Sequence, residues 1–272
     1  MIMKRWLVLL LLTWLGGLPA HAQLGLALAP MRVEVRISPG GQYTDSLRLS
    51  NDGAEPSRIR AELLDWYMDD TMTPQFGDRY DQEKGFSCRD WLQLNPRELD
   101  LPANGTFRVR YTLRVPAGTP VGEYHCGAGF VTIPSINTEQ PPLGVNIAVR
   151  AVAALYVVVG NPVSQPLLRD LSLRTLPDGA WEAVAWWENQ GLRHFRAQGF
   201  LEVLDDQGQS VERLEYPLIP VLPKRVQPFP VRLKATLPPG TYVVRSQVDV
   251  GLSEILEGSA RVVIEDPSQK RQ

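Results

Sequence analysis

Apolar and polar residues alternate with a period of two along most of the chain. The clearest alternating run covers residues 107–115, and similar runs recur between turns rich in Gly, Pro and Asn. A period of two is typical of half-buried β-strands, and regularly spaced short strands predict a β-sandwich. No amphipathic helical pattern of any length is present. The sequence therefore predicts an all-β fold, with seven candidate strands between Leu26 and Val158.

The second half of the chain repeats the plan of the first. A predicted strand ends at Asn51-Asp52-Gly53 in one half and at Asn189-Gln190-Gly191 in the other, and each half has a Pro-x-Gly-Thr turn before a strand opened by Tyr124 or Tyr242. Convergent turn chemistry is the alternative explanation, because Asn, Gly and Pro favour turns in any β-protein.

We predict two tandem immunoglobulin-like β-sandwich domains. The first would cover residues 23–159 and the second residues 160–265, with the boundary at Gly160-Asn161-Pro162 and a polar tail at 266–272. The chain has 272 residues, which is enough for two domains of ordinary size.

The first 22 residues have the three parts of an export signal. Lys4 and Arg5 give a positive start, Trp6 to Leu15 is mostly apolar, and Ala20-His21-Ala22 is a small-x-small cleavage pattern. The apolar run is too short to span a bilayer as a helix, which needs about 20 residues. We expect cleavage before Gln23 and a mature protein in the periplasm, without an integral membrane segment.

The mature chain has two cysteines, Cys88 and Cys126. In an oxidising compartment such a pair is more often a disulfide than a metal site. Only His125 and His194 remain after the leader, so Cys and His ligands for zinc are scarce. We predict a Cys88–Cys126 disulfide, with two separate buried thiols as the alternative.

The charge and the motifs give no sign of nucleic-acid binding or catalysis. The formal net charge is −2, and loss of the leader with Lys4 and Arg5 would make it −4. Near-neutral charge argues against a polyanion binder, which needs a concentrated basic surface. The common nucleophile, zinc-protease and phosphate-loop motifs are missing. We therefore expect a protein that is not an enzyme and needs no cofactor.

Two segments depart from this plain pattern. Residues 69–87 are acidic and do not alternate, which favours a long solvated loop and leaves a calcium site as an alternative. Residues 145–158 form the other segment, a candidate strand that follows a Pro-rich stretch and leads into the predicted domain boundary. Such a strand is typical of a sheet edge, which can pair with another chain. Packing of its apolar face into its own core fits the pattern equally well.

The first half, from Leu26 to Val158, resembles the PapD-like periplasmic pilus-assembly chaperones. The resemblance depends on short segments along this half. They are Ala29-Pro30-Met31-Arg32-Val33, Leu47-Arg48-Leu49-Ser50-Asn51-Asp52, Trp91-Leu92-Gln93-Leu94-Asn95-Pro96, Leu101-Pro102, Arg108-Val109-Arg110, Ile133-Pro134 and Gly144-Val145-Asn146-Ile147-Ala148-Val149. This resemblance implies a chaperone that binds pilus or surface-structure subunits by donating an edge strand. Its partner would be a protein subunit, with no role for nucleic acid.

The resemblance also implies which residues contact the subunit. Arg32 would bind the terminal carboxylate of the subunit, and Val145, Ile147 and Val149 would be the donor side chains. The Lys that the family places in the cleft is missing here, because no Lys occurs between positions 84 and 224. Arg150 is a candidate replacement.

Two other functions fit the sequence. The main alternative is a structural or adhesive immunoglobulin-like spacer of the cell envelope. The other is a module that binds sugars or cations through the acidic segment at 69–87.

Overall fold

The computed structural model describes residues 25–81, 84–133, 147–251 and 253–265. Within these ranges the chain is built from β-strands, with a 3-10 turn at Arg89–Trp91 and no α-helix. The predicted leader at 1–22 and the predicted tail at 266–272 lie outside the described residues.

The first half of the chain folds into two sheets that face each other. In chain order its strands are β1 (Leu26–Ala29), β2 (Arg32–Arg36), β3 (Gln42–Asn51), β4 (Ser57–Met68), β5 (Pro74–Gly77), β6 (Leu92–Asn95), β7 (Glu98–Leu101), β8 (Thr106–Arg114), β9 (Gly122–Ile133) and β10 (Arg150–Val159). One sheet has the order β1-β3-β8-β6, and the other has the order β2-β10-β9-β4-β5, with β7 also paired to β4.

The core of the first half lies between these sheets. On β8 the inward residues Val109, Tyr111 and Leu113 are buried, while the residues between them point outward. This is the alternation that a half-buried strand produces. Period-two patterning therefore predicted the burial of Val109, Tyr111 and Leu113 correctly, whereas Phe107 at the start of the run is 38% exposed.

The chain changes sheets at Pro30. β1 pairs with β3 in one sheet, whereas β2 pairs in parallel with β10 in the other. Proline cannot donate a backbone hydrogen bond, so it interrupts ladder pairing where it stands. The chain thus crosses from one sheet to the other at Pro30, between β1 and β2.

The second half forms a second sandwich. In chain order its strands are β11 (Pro166–Thr175), β12 (Trp181–Asn189), β13 (Phe195–Arg196), β14 (Gln198–Leu204), β15 (Ser210–Glu215), β16 (Pro220–Val221), β17 (Val226–Arg232), β18 (Gly240–Asp249) and β19 (Leu256–Ile264). They pair as β11-β12-β17, β13-β16 and β15-β14-β18-β19. A separate core, which includes Trp187, Phe229 and Val244, fills this half.

The repeated sequence motifs make the same hydrogen bonds in both halves. Asn51 and Asn189 are buried, and each accepts from the N–H of the glycine two residues later and donates to a carbonyl four residues later. The hydroxyl groups of Tyr124 and Tyr242 each donate to the proline carbonyl four residues earlier. Two tandem immunoglobulin-like sandwiches with one plan are therefore confirmed, while the boundary at Gly160 stays a prediction.

The predicted disulfide between Cys88 and Cys126 is confirmed. Both cysteines are fully buried, and Cys126 lies in β9 near the middle of its sheet. The main-chain N–H of Cys88 also donates to the carbonyl of His125 at 3.1 Å. The bridge therefore ties the segment before the 3-10 turn to the core of the first sandwich.

Two of the sequence predictions about strands need correction. The strand predicted at 145–158 is β10, which begins at Arg150, and residues 147–149 are not in a strand. The segment at 69–87 contains β5, which pairs with β4 as a hairpin, so it is not a loop throughout. Gln227 of β17 donates its side-chain N–H to the carbonyl of Asp69 at 2.8 Å. This hydrogen bond attaches the start of the polar segment at 69–87 to the second sandwich, although the segment has no alternating apolar residues.

Reduction of the Cys88–Cys126 disulfide should destabilise the protein by about 3–4 kcal/mol. The bridge joins residues 38 positions apart, and closing a loop of that length restricts the unfolded chain by this amount in the chain-entropy account. Urea unfolding with and without reductant measures the difference. A Cys88→Ala/Cys126→Ala variant is the control, because reductant should leave its midpoint unchanged; equal midpoints for the oxidised and reduced wild type would contradict the prediction.

Candidate functional site

β10 is covered on only one flank along its first half. Residues Arg150–Val159 pair with β9, but pairing with β2 on the other flank begins only at Ala154. Among the described residues, no strand pairs with the outer flank of Arg150–Ala153. The prediction of an edge is therefore right for the first part of β10 and wrong for Ala154–Val158, which lies between two strands.

The hydrogen-bond register shows which backbone groups face this outer flank. The N–H of Thr132 in β9 donates to the carbonyl of Val149, and the N–H of Ala154 donates outward to the carbonyl of Met31. Because successive residues of a strand direct their backbone groups to opposite flanks, Arg150 and Val152 direct theirs away from β9. An incoming strand would meet these groups first.

The apolar side chains leading into β10 become more exposed toward its start. Ala153 is fully buried and Val149 is partly buried, while Ile147 is 59% exposed. Ala153 lies on the core-facing side of β10, and Ile147 is an exposed apolar side chain three residues before that strand begins. The predicted donor residue Val145 lies outside the described residues.

Arg32 stands directly opposite Ala154. The two residues are register partners in the parallel pairing of β2 and β10. The Arg32 side chain is 60% exposed, and its Nε lies 3.6 Å from an oxygen of Glu34. Arg32 is therefore accessible, and the small side chain of Ala154 leaves it without a second cation on β10.

Arg150 does not take that position. It is four residues before Ala154 on the same strand, about 13 Å away at the usual strand rise, and its Nε pairs with Glu62 of β4 at 3.3 Å. The structure therefore does not bring Arg150 and Arg32 together.

The cation closest to this point comes from the second sandwich. Arg196 of β13 lies 3.3 Å from the same Glu34 oxygen that contacts Arg32. Its guanidinium also lies 5.5 Å from the ring centroid of Tyr156 on β10. One carboxylate oxygen of Glu34 is thus held between two guanidinium groups from different halves of the chain.

A cleft of about 450 Å³ separates the two sandwiches at this point, lined by Glu34, His194 and Arg196 among others. Beneath it, Nδ1 of His194 lies 2.7 Å and 2.8 Å from the two carboxylate oxygens of Glu123. Nε2 of His194 contacts the guanidinium of Arg196. Since arginine is always a donor, this arrangement assigns the proton of a neutral His194 to Nδ1, from which it is donated to Glu123.

Glu123 is the buried end of this network. It belongs to β9 of the first sandwich, is fully buried, and its main-chain N–H donates to the carbonyl of Leu192 in the second half at 2.8 Å. The main-chain N–H of His194 donates to the Glu123 carboxylate at 3.2 Å. Burial of a carboxylate is costly unless it is hydrogen-bonded, so this contact fixes how the two sandwiches meet.

Aromatic residues pack beside the cleft. Tyr156 packs edge-on against Trp66 of β4, and Leu222 of the second half joins the same buried cluster. Burial raises the pKa of Tyr156, and the positive charge of Arg196 partly opposes that shift. The Tyr156 hydroxyl is therefore a neutral group at the base of the cleft and not an ionised one.

Sequence reasoning missed Glu34, Glu123 and Arg196. Arg196 contacts a residue 162 positions earlier in the chain, and no local pattern indicates such a contact. In the sequence His194 stands out only as one of the two histidines after the leader. The available signal was that His194 and Arg196 are basic and stand two positions apart after a turn, which places both on one side of an extended segment.

The acidic segment at 69–87 is occupied by its own hydrogen bonds. The Asp69 carboxylate accepts from the main-chain N–H groups of Thr73 and Thr71 and from the Gln75 side chain, and these bonds, led by that of Thr73, lower the pKa of Asp69. Nowhere in the described ranges are three His, Cys, Asp or Glu side chains grouped so that they could hold a metal ion.

The described residues contain no helix that is long and apolar enough to cross a membrane.

Several solved structures are similar to this chain. A YadV chaperone has 14% identity over 88% of this chain and 100% of its own, with a TM-score of 0.48. The class 5 fimbriae chaperone CfaA has 10% identity over 86% of this chain and 98% of its own, with a TM-score of 0.45. The chaperone-tip adhesion subunit pre-assembly complex CsuC-CsuE of Acinetobacter baumannii has 13% identity over 85% of this chain and 97% of that chain, with a TM-score of 0.45.

Fimbrial chaperones, which the sequence motifs resemble, are thus among the solved structures similar to this chain. No protein-family model matches the chain. No curated protein sequence matches it either.

Replacement of His194 by alanine should destabilise the folded protein by about 2–3 kcal/mol. Loss of the side-chain donor leaves the buried, charged carboxylate of Glu123 short of a hydrogen bond, which costs about 1.5–3 kcal/mol, although the main-chain N–H of residue 194 can still donate to Glu123. Urea unfolding measures the change. Gln198→Ala, at an exposed position of β14, is the control, and a His194→Ala midpoint equal to that of the control would show that the pair does not hold the halves together.

Proposed function

We propose that this chain is a periplasmic chaperone-like protein that binds and stabilises subunits of a pilus or another surface structure. It would do so by pairing the outer flank of β10 with a strand of the subunit. The role is one of binding, so it requires neither a catalytic residue nor a cofactor.

The observation that carries the proposal is the uncovered flank of Arg150–Ala153 beside the exposed Ile147. An incoming extended segment would gain main-chain hydrogen bonds from Arg150 and Val152. Apolar side chains at every second position of the added strand would supply specificity, as in other cases of strand addition. Because pairing with β2 begins at Ala154, the added strand would have a defined end next to Arg32.

Arg32 is proposed as the anchor for the terminal carboxylate of the subunit. It is accessible, and an arginine binds a carboxylate with two parallel hydrogen bonds, which fixes register as well as affinity. We propose Arg196, and not Arg150, as the second cation of this anchor. In support, Arg196 already shares the Glu34 carboxylate with Arg32, whereas Arg150 is paired with Glu62.

A rigid envelope spacer is the second candidate function. The observation that favours it is the buried contact of Glu123 with His194 and Leu192, which holds the two sandwiches in one orientation. A spacer would be a stable monomer that leaves the fate of any partner unchanged. Co-expression with a surface subunit encoded beside this chain distinguishes the two, because only a chaperone would raise the yield of soluble subunit.

Ile147→Asp should weaken subunit capture by roughly ten- to a hundredfold while the chain stays folded. Burial of an isoleucine side chain contributes about 1.5–3 kcal/mol, and each 1.4 kcal/mol changes affinity about tenfold. Since Ile147 is 59% exposed, its replacement removes little packing within the free chain.

The measurement is co-purification of the tagged neighbouring subunit with each variant. Ile255→Asp is the matched control, because Ile255 is 61% exposed and lies in the second sandwich. Equal capture by both variants would exclude the proposed docking edge.

Arg32→Ala and Arg196→Ala should each reduce capture of a subunit that ends in a free carboxylate. A hydrogen bond to a charged group contributes about 1.5–3 kcal/mol, so a loss of roughly tenfold or more is expected. The test compares peptides copied from the end of the subunit with a free or an amidated terminus. Amidation should weaken binding to the wild type but not to Arg32→Ala. Arg174→Ala, at an exposed ion-paired position, is the control; the same response to amidation in Arg32→Ala as in the wild type would argue against a carboxylate anchor.

A further inference from the structure

The outward face of the sheet β1-β3-β8-β6 carries five exposed arginines. Arg108, Arg110 and Arg114 follow one another on the outward side of β8, since strand residues two or four apart share a face. Arg48 of β3 stands directly opposite Arg108, and Arg97 follows β6. This arginine face lies on the opposite side of the first sandwich from β10.

The outward positions of these strands hold no carboxylate. On β3 they are Gln42, Thr44, Ser46, Arg48 and Ser50, and the outward residues of β6 are Gln93 and Asn95. Arg48, Arg97, Arg108 and Arg110 make no ion pair with any described residue. Arg114 donates to the amide oxygens of Gln42 and Gln93, which orient its guanidinium without neutralising its charge.

Two arginines on strands of the second sandwich face carboxylates instead. Arg174 stands opposite Glu182, and Arg245 stands opposite Glu202, each in an ion pair across two strands. The direct pairing of Arg48 with Arg108 places like charges together, which destabilises a sheet. A local arrangement that opposes stability in this way is typical of a functional surface.

A concavity of about 580 Å³ lies on this face between three of its arginines. It is lined by Arg97, Arg110 and Arg114 together with the neutral hydrogen-bonding side chains of β3, β6 and β8. Arginine recognises oxyanions by paired hydrogen bonds, and amide and hydroxyl groups suit the hydroxyls of a sugar. The lining has no aromatic ring on which a nucleic-acid base could stack, and its apolar member, Leu94, is buried.

We propose that the arginine face binds a linear polysaccharide that carries sulfate or phosphate groups. The guanidinium groups bind the anionic substituents at spacings set by the strands, about 5 Å across the sheet and 7 Å along it. The neutral side chains contact the sugar hydroxyls. Because the whole chain has a formal charge of −2, such binding comes from the local face and not from the overall charge.

The test uses fluorescently labelled heparin as the probe and fluorescence anisotropy as the measurement. The triple variant Arg108→Gln/Arg110→Gln/Arg114→Gln should bind heparin at least about tenfold more weakly than the wild type, since each exposed ionic contact contributes modestly. Binding by the wild type should also weaken steeply as salt is added. The matched control is Arg169→Gln/Arg174→Gln/Arg232→Gln, which removes the same charge from exposed, ion-paired arginines of the second sandwich.

The control should bind heparin within about twofold of the wild type, since it leaves the arginine face intact. Equal losses in the two triple variants would overturn the proposal, and so would competition by neutral dextran as strong as that by unlabelled heparin. Tighter binding to phosphatidylglycerol vesicles or to a single-stranded oligonucleotide than to heparin would assign the face to a membrane or a nucleic acid instead.

Stability gives a second readout. Because the substitutions remove repulsion between like charges, the urea midpoint of the arginine-face variant should equal or exceed that of the wild type. If it falls, the single variant Arg110→Gln in the same heparin assay decides the question. A wild-type affinity for that variant would overturn the proposal.

Discussion

The first sandwich depends on the passage of its first strand from one sheet to the other at Pro30. β1 completes the sheet that contains β3, and β2 covers β10 only from Ala154 onward. Had the first strand continued beside β10 without this change, the flank of Arg150–Ala153 would be paired within the chain. Within the part of the chain that the structure describes, the open flank therefore follows from this topology.

The same crossing places the polar groups of the cleft. β2 carries Arg32 and Glu34 on its solvent side, where they meet Arg196 of the second sandwich. β2 thus sets where the covered part of β10 begins, and it also supplies charged side chains to the junction between the sandwiches. A partner strand laid along the open flank would reach these charges at its end, which connects the two parts of the proposed site.

Local sequence patterns predict much of the fold but less of the candidate site. Alternation in β8 predicted the burial of Val109, Tyr111 and Leu113, and the paired Asn51 and Asn189 motifs predicted the repeat, because both depend on neighbours along the chain. The contact of Glu34 with Arg196 joins distant segments, so no local signal could predict it. The strand predicted to start at Val145 starts at Arg150, since apolar parity does not show where pairing begins.

The net charge of the whole chain does not reveal the arginine face. A near-neutral net charge argued against any basic surface, yet alternate positions of β8 bring Arg108, Arg110 and Arg114 to one side of the sheet. Along the chain, basic and acidic residues are mixed, so the total charge does not reveal this grouping. Counting charge for each strand face separately would have revealed it, because strand geometry separates odd positions from even ones.

The buried Glu123 has a consequence for any attempt to divide the molecule. A fragment that ends near Gly160 would keep Glu123 and the Trp66–Tyr156 cluster but lose His194, Arg196 and Leu222. The surface exposed in this fragment would combine the Glu123 carboxylate with aromatic rings. The complementary fragment would expose the basic side chains of His194 and Arg196 and the apolar side chain of Leu222. The two fragments would have complementary surfaces and would reassociate, so the junction of this protein would act as a site of fragment reassembly.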